Sequence, residues 1–321
     1  MAVSLQQNTT VAGAGWAVAA VFCFSVNDVL IKLMSDSYAL HQVILTRSIV
    51  GTIILLAVIV PLTGGWRQLA TERLGLHLAR GGCVVFANLC FFMALAAMPL
   101  AEAVAVFFIS PLLISVFSVV FLGEHVGPRR WAAIGVGFLG VMIVLRPGSA
   151  AFQVAALLPL AAAVGYATLH TLTRRLGVTE SATTLAFYIQ VMFLVTSGAV
   201  GLAVGHGGYD VGAHPSLSFL LRGWVWPAPV DFAMMCVVGL TSISGGFAIS
   251  QAYRLSEAAL VAPFEYAAMP LAVLSGFLVF GEWPDPWAWV GIALILAAGL
   301  VLIWREALAR LALASRPPDA R

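Results

Sequence analysis

Residues Leu100 to Glu124 read LAEAVAVFFISPLLISVFSVVFLGE, an apolar run with one proline near its centre that closes on Gly123-Glu124. A second version runs from Leu255 to Glu282, LSEAALVAPFEYAAMPLAVLSGFLVFGE. Both open with Leu-(Ala/Ser)-Glu-Ala, carry proline mid-run and end in Gly-Glu. Glu102 and Glu257 lie 155 residues apart and Glu124 and Glu282 lie 158 apart, so the copies differ by about one helical turn. Few letters agree between the matched ends, and the echo gains its weight from a matching neighbour. Trp131 follows Glu124 by seven residues, and Trp289 follows Glu282 by seven. Two halves of similar plan are expected.

Composition sets the broad class. The 321 residues are 61% hydrophobic and 9% charged, with a mean hydropathy of +1.01, against roughly 25% charged residues in soluble domains. Repeated apolar runs near the length of a bilayer crossing predict an all-α, polytopic integral membrane protein. The four cysteines, Cys23, Cys83, Cys90 and Cys236, sit inside apolar runs without paired-ligand spacing and read as small packing residues. The first apolar segment lacks a basic start and carries Asn27, Asp28 and Lys32 at its far end, unlike a secretory signal.

The chain divides into ten expected spans, at 13–34, 40–61, 78–98, 100–122, 130–146, 154–173, 182–204, 231–253, 257–280 and 286–304. Short connections predict antiparallel neighbours in a helical bundle. The exception is His206 to Val230, a Gly- and Pro-containing stretch whose Trp224 and Trp226 suit a segment at the membrane surface. The basic tail is expected to fray after Arg310. The corresponding divisions are 1–148, 149–306 and a cytoplasmic tail at 307–321.

Lysines and arginines in the loops set the orientation. With the N-terminus inside, the cytoplasmic side collects Arg67, Arg73, Arg80, Arg129, Arg130, Arg174, Arg175, Arg254 and the four tail arginines, twelve in all. The other side has three, Lys32, Arg146 and Arg222. Both termini are therefore expected in the cytoplasm. Five spans per half, an odd number, force the second half to enter the membrane upside down relative to the first. Inverted repeats around a midplane cavity are the plan of many secondary transporters.

These features resemble the drug/metabolite transporter superfamily, EamA-like branch. The likeness rests on the five-plus-five plan, the Gly-Glu after spans four and nine, Ala262-Pro263-Phe264-Glu265-Tyr266, and the Asn27-Asp28…Lys32 and Arg47 pattern. It covers essentially the whole chain. The resemblance implies a small-metabolite carrier in a bacterial inner membrane, and the pattern is most similar to the branch that includes riboflavin and S-adenosylmethionine uptake carriers. Other branches export amino acids or metabolites. On this likeness riboflavin is the named substrate.

Ionisable groups inside a bilayer are costly, and so they are functional or paired. Asp28 and Lys32 are four apart on span one, acid first, a same-face order. Arg47 lies about 10 Å into span two from the same side, so Asp28 and Arg47 are expected to form an interhelical pair. That pair serves either as a gate or as a static packing clip. Glu265 falls near the middle of span nine between Pro263 and Pro270, whose missing donors free backbone carbonyls for a ligand or water. A carboxyl that changes protonation there would couple proton movement to transport. Alternatively it binds a substrate ammonium or a ring carbonyl, or makes only a helix-to-helix hydrogen bond. Asn88, Ser110, Tyr166, His170, Tyr188, Ser242 and Gln251 are further cavity candidates. Tyr166 and His170 share a face of span six, while serines in helices more often bond their own backbone than a ligand.

No Gly-Lys-Ser/Thr phosphate loop, metal-ligand spacing or paired magnesium-binding aspartates occur in the sequence. No cofactor, metal or nucleic-acid partner is therefore expected, and the partners are a small-molecule substrate and the lipid bilayer. An integral-membrane enzyme is the competing class, distinguished by product formation rather than saturable counterflow. Gly123-Glu124 and Gly281-Glu282 read as helix C-termini stopped by glycine. A glutamate there opposes the helix dipole, so each is expected to be tied to a neighbouring helix end.

Overall fold

A computed structural model describes residues 2–123, 127–148, 154–176, 181–212, 214–255 and 264–314. The chain is all-helical among these residues. Among the described residues, nine helices are long and apolar enough to cross a membrane: Ala12–Met34, Leu40–Thr63, Leu74–Leu95, Leu100–Leu122, Pro128–Leu145, Val154–Leu172, Thr183–Val204, Pro229–Ala252 and Pro286–Trp304. They fall where spans one to eight and ten are expected. In the place of span nine the described helix is Ala268–Phe280, too short to cross by itself, and the first part of the expected segment, 257–263, lies outside the described residues. The final helix runs from Pro286 to Ala314, past the expected fraying point.

The described parts of the two sequence copies fold alike. Span four is helical over Leu100–Phe107, breaks at Phe108 and Ile109, and resumes over Ser110–Leu122 with Pro111 in the new first turn. Proline lacks an N–H and its ring crowds the turn before it, so the helix cannot run straight through. The second copy breaks at Tyr266 and Ala267 and resumes over Ala268–Phe280, with Pro270 in the first turn. Both resumed helices end on a left-handed glycine, Gly123 at φ 70° and Gly281 at φ 68°, where a Cβ would be strained.

Span one packs along span eight, and span three along span six; spans two and seven pack together, as do spans five and ten. Exchanging spans one to five for six to ten maps this set of pairings onto itself. At the crossing of spans five and ten, two glycines meet. A Cβ on Gly140 would sit 2.8 Å from the Gly291 carbonyl oxygen, and one on Gly291 would sit 2.7 Å from that of Gly140.

One end of the bundle is tightly filled. Ile31, Met34, Leu40, Ile44, Leu95 and Leu100 are fully buried there, at the end carrying the three sparse bases. Phe219, from the short helix Pro215–Leu221 in the long loop, is also fully buried. The loop is thus docked onto protein as well as bearing the 97%-exposed Trp226. Arg222 Nη1 donates to the Ser35 carbonyl at 2.9 Å, Gln42 Nε2 donates to the Val225 carbonyl at 2.6 Å, and Trp224 Nε1 donates to His41 Nδ1 at 2.8 Å. The loop therefore straps the connection between spans one and two.

Candidate functional site

The base-poor end carries a charged latch. Lys32 Nζ lies 2.9 Å from Glu282 Oε1 and donates to the carbonyls of Leu95 at 3.1 Å and Met98 at 2.7 Å, which uses all three ammonium donors. Glu282 Oε2 accepts the Leu100 backbone N–H at 3.0 Å. The glutamate after the glycine stop is thus tied to the first turn of span four, where the orphan N–H groups and the dipole favour an anion. Its counterpart Glu124 lies outside the described residues. Arg146 at the end of span five grips both oxygens of Asp285 at the start of span ten. That guanidinium holds the Asp285 carboxyl below the usual carboxylate range, helped by the Ala288 backbone N–H. Glu102 feels both ion pairs.

The charges expected to meet on spans one and two arrange themselves differently. Lys32 pairs with Glu282 rather than with Asp28. Asp28 and Arg47 act on each other electrostatically, but no salt bridge within 4.0 Å joins them. Arg47 is 3% exposed. Its guanidinium carbon lies 4.6 Å from the centre of the Phe193 ring and 5.5 Å from that of Phe92, and its Nε has no hydrogen-bond partner. Neighbouring Asn27 is satisfied structurally, donating to the Val238 carbonyl at 3.1 Å.

From Arg47 a chain of ring contacts crosses the bundle. Phe92 and Phe91 lie 5.9 Å apart, Phe91 and Phe107 5.2 Å, Phe107 and Tyr166 5.5 Å, and Tyr166 and His170 4.5 Å. The two helix breaks also touch, through Phe108 and Tyr266 at 4.9 Å. Half-buried Glu265, one residue before the second break, acts electrostatically on both Tyr166 and Tyr266. Glu265, Tyr166 and His170 therefore gather in one region with Phe107. Ser110 is buried at the restart of span four.

No hydrogen bond or ring contact among the described residues joins the remaining candidates to this group. Asn88 donates to its own helix at the Val84 carbonyl, 3.1 Å away. Tyr188 donates to the Leu69 carbonyl at 3.0 Å and stacks on His77 at 4.4 Å, towards the base-rich end. Ser242 and Gln251 are half-buried on span eight, and no described hydrogen bond links either to the others. Phe91, Phe92, Phe107 and Phe193 were not singled out from the sequence, because a phenylalanine facing lipid and one facing a site look identical in it.

A model of the EamA-like transporter family matches residues 11–146. The chain is also 31% identical to a riboflavin transporter of Vibrio cholerae, over 91% of this chain and 93% of that one. The chain belongs to the EamA-like transporter family. A riboflavin transporter of Rhizobium johnstonii is 29% identical over 95% of both chains. An S-adenosylmethionine uptake transporter of Rickettsia felis is 25% identical over 93% of this chain and 94% of the other. This EamA-like transporter is accordingly a multi-pass protein of a bacterial inner membrane that carries a small molecule, and not an enzyme.

Proposed function

We propose that this transporter takes up riboflavin by alternating access between two inverted five-helix repeats, 1–148 and 149–306, with both termini in the cytoplasm. The observation that carries the substrate is the aromatic chain from Arg47 to His170. A planar three-ring molecule needs aromatic faces to stack on and a few polar groups at its edges, and the riboflavin transporters among the relatives favour that chemistry. Glu265 and His170 supply polar contacts at one end, and Arg47 with Asp28 supplies them at the other. The breaks in spans four and nine meet through Phe108 and Tyr266, an arrangement that supports comparison with carriers whose discontinuous helices hold substrate at the midplane.

In this reading the described conformation is latched at the outer end by Lys32, Glu282 and Arg146 with Asp285. Release of that latch would open the site outward as the repeats rock. S-adenosylmethionine is the second reading, favoured by the Rickettsia felis relative. The test is rescue of a riboflavin-auxotrophic bacterium lacking its own importer, on limiting riboflavin, with empty vector and Glu265→Ala alongside and membrane expression checked. Growth that depends on the intact chain is expected. No growth despite good expression would overturn riboflavin and turn the assay to S-adenosylmethionine uptake and then to export.

A further inference from the structure

Arg47 stands out among the buried charges. The guanidinium is always ionised and carries five donors. Leaving it in a bilayer without a hydrogen-bonded partner is costly, and natural chains retain such a group where it meets a ligand or an ion. Here its nearest company is two phenylalanine rings, which stabilise a cation through their faces but accept no hydrogen bond of ordinary strength. The opposite charge that acts on it, Asp28, is held off beyond salt-bridge distance. Among the described residues Asp28 makes no hydrogen bond either. It lines a small cavity of about 30 Å³ with Ser25, Leu100, Val104, Ala268 and Ser275, against the first helix of span four, whose last residue is Phe107. An acid and a base, both inside the membrane, thus act on each other without closing to a salt bridge, and the aromatic chain begins beside the base at Phe92.

Were this pair a packing clip, the two side chains would close on each other, as Lys32 and Glu282 do at 2.9 Å. A separation beyond salt-bridge distance instead suits a group that presents an acceptor to the guanidinium and a donor to the carboxyl side by side. We infer that Arg47 and Asp28 form a split receptor for such a donor–acceptor edge, and that in riboflavin this edge is the imide of the flavin ring. Arg47 would donate to a ring carbonyl and Asp28 would accept the N3–H. The ring system would then lie along the phenylalanines towards Tyr166. This assignment rests on the riboflavin reading and adds to it the orientation of the substrate and the group that is recognised.

The test is equilibrium binding to the purified full-length transporter, read by quenching of flavin fluorescence, with riboflavin and with riboflavin methylated at N3. Methylation removes the donor and leaves the stacking surface. For the unaltered protein the methylated compound should bind roughly 10- to 100-fold more weakly, the range of a hydrogen bond to a charged group. In Asp28→Leu, which keeps the side-chain size and removes the acceptor, riboflavin should weaken and the two ligands should become alike within about twofold. In Arg47→Met both ligands should weaken while their ratio persists. A merely structural role for Asp28 would leave the ratio unchanged. If the unaltered protein binds riboflavin and its N3-methyl derivative equally, the split receptor is wrong and the riboflavin reading survives. If it binds neither, riboflavin itself fails and the imide assignment falls with it. The comparison in the unaltered protein needs no variant, so a poorly folding mutant cannot obscure it.

Discussion

Lys32 illustrates how a charge is retained at a membrane boundary. Its ammonium is 10% exposed at the side chain and has each donor matched, one of them by a carboxylate. Removing it strands Glu282 beside two unsatisfied carbonyls. Lys32→Met is therefore expected to destabilise the folded transporter by about 2–3 kcal/mol, measured by thermal unfolding in detergent. The double variant Lys32→Met with Glu282→Gln should recover part of that loss, because the uncompensated charge is gone. Asp285 sits where water reaches it and behaves differently. Its carboxyl titrates lower in the folded protein than in the unfolded chain. Its contribution is thus present above the ordinary carboxylate range and disappears only as pH falls through the depressed folded value. Asp285→Asn should lower the melting temperature at neutral pH, and the difference from the unaltered protein should vanish in strong acid. An unchanged difference at every pH would remove the Arg146 pairing as its cause.

At the scale of elements, the breaks in spans four and nine are the feature with the most consequence. Each follows from a proline in the turn after the break, and each puts an aromatic residue, Phe108 or Tyr266, at the other. Continuous helices would carry these rings away from each other and hide the backbone groups near Glu265. Pro111→Ala should let span four run closer to straight. Transport is expected to fall at least roughly tenfold while the protein stays folded, since alanine, unlike proline, lets the helix continue across the break. Normal transport in that variant would mean that the break serves packing alone. The glycine crossing of spans five and ten works by the opposite logic. With the Gly140 and Gly291 backbones this close, Gly140→Val has no space to fill and should separate the pair, seen as loss of folded, monodisperse protein.

For the whole molecule, the pairing of spans is unchanged when the halves are exchanged, and the proposed orientation takes the side of each end from the distribution of bases. These predict that a cysteine at exposed Ser37 reacts with a membrane-impermeant thiol reagent added to intact cells, whereas one at exposed Arg129 does so only after the membrane is opened. The native cysteines, half-buried in their spans, serve as the background. The reverse pattern would invert the orientation and turn the Lys32–Glu282 latch into a cytoplasmic one. The latch, the docked loop and the filled core all lie at the same end. Under the proposed alternating access, a carrier closed there exposes its site at the other end, and outward opening would break the Lys32 and Arg146 pairs together.

The amino-acid sequence by itself determined the membrane class, the places of spans one to eight and ten and the proline and glycine-stop motif shared by the two copies, because these depend on local composition, on proline and on glycine. It also anticipated that a glutamate after a glycine stop would seek a helix end, as Glu282 does. Partner choice was not legible. Asp28, four residues from Lys32 on one helix, had an obvious neighbour, yet Lys32 reaches Glu282 from the far half of the chain. Asn88 and Tyr188 read as cavity residues, and packing gives them backbone partners. Only the tertiary structure decided which phenylalanines leave the lipid face to join Arg47 and Tyr166. Hydrophobicity marks a residue for burial in lipid or in protein equally, and the difference between the two is made by which helices lie side by side.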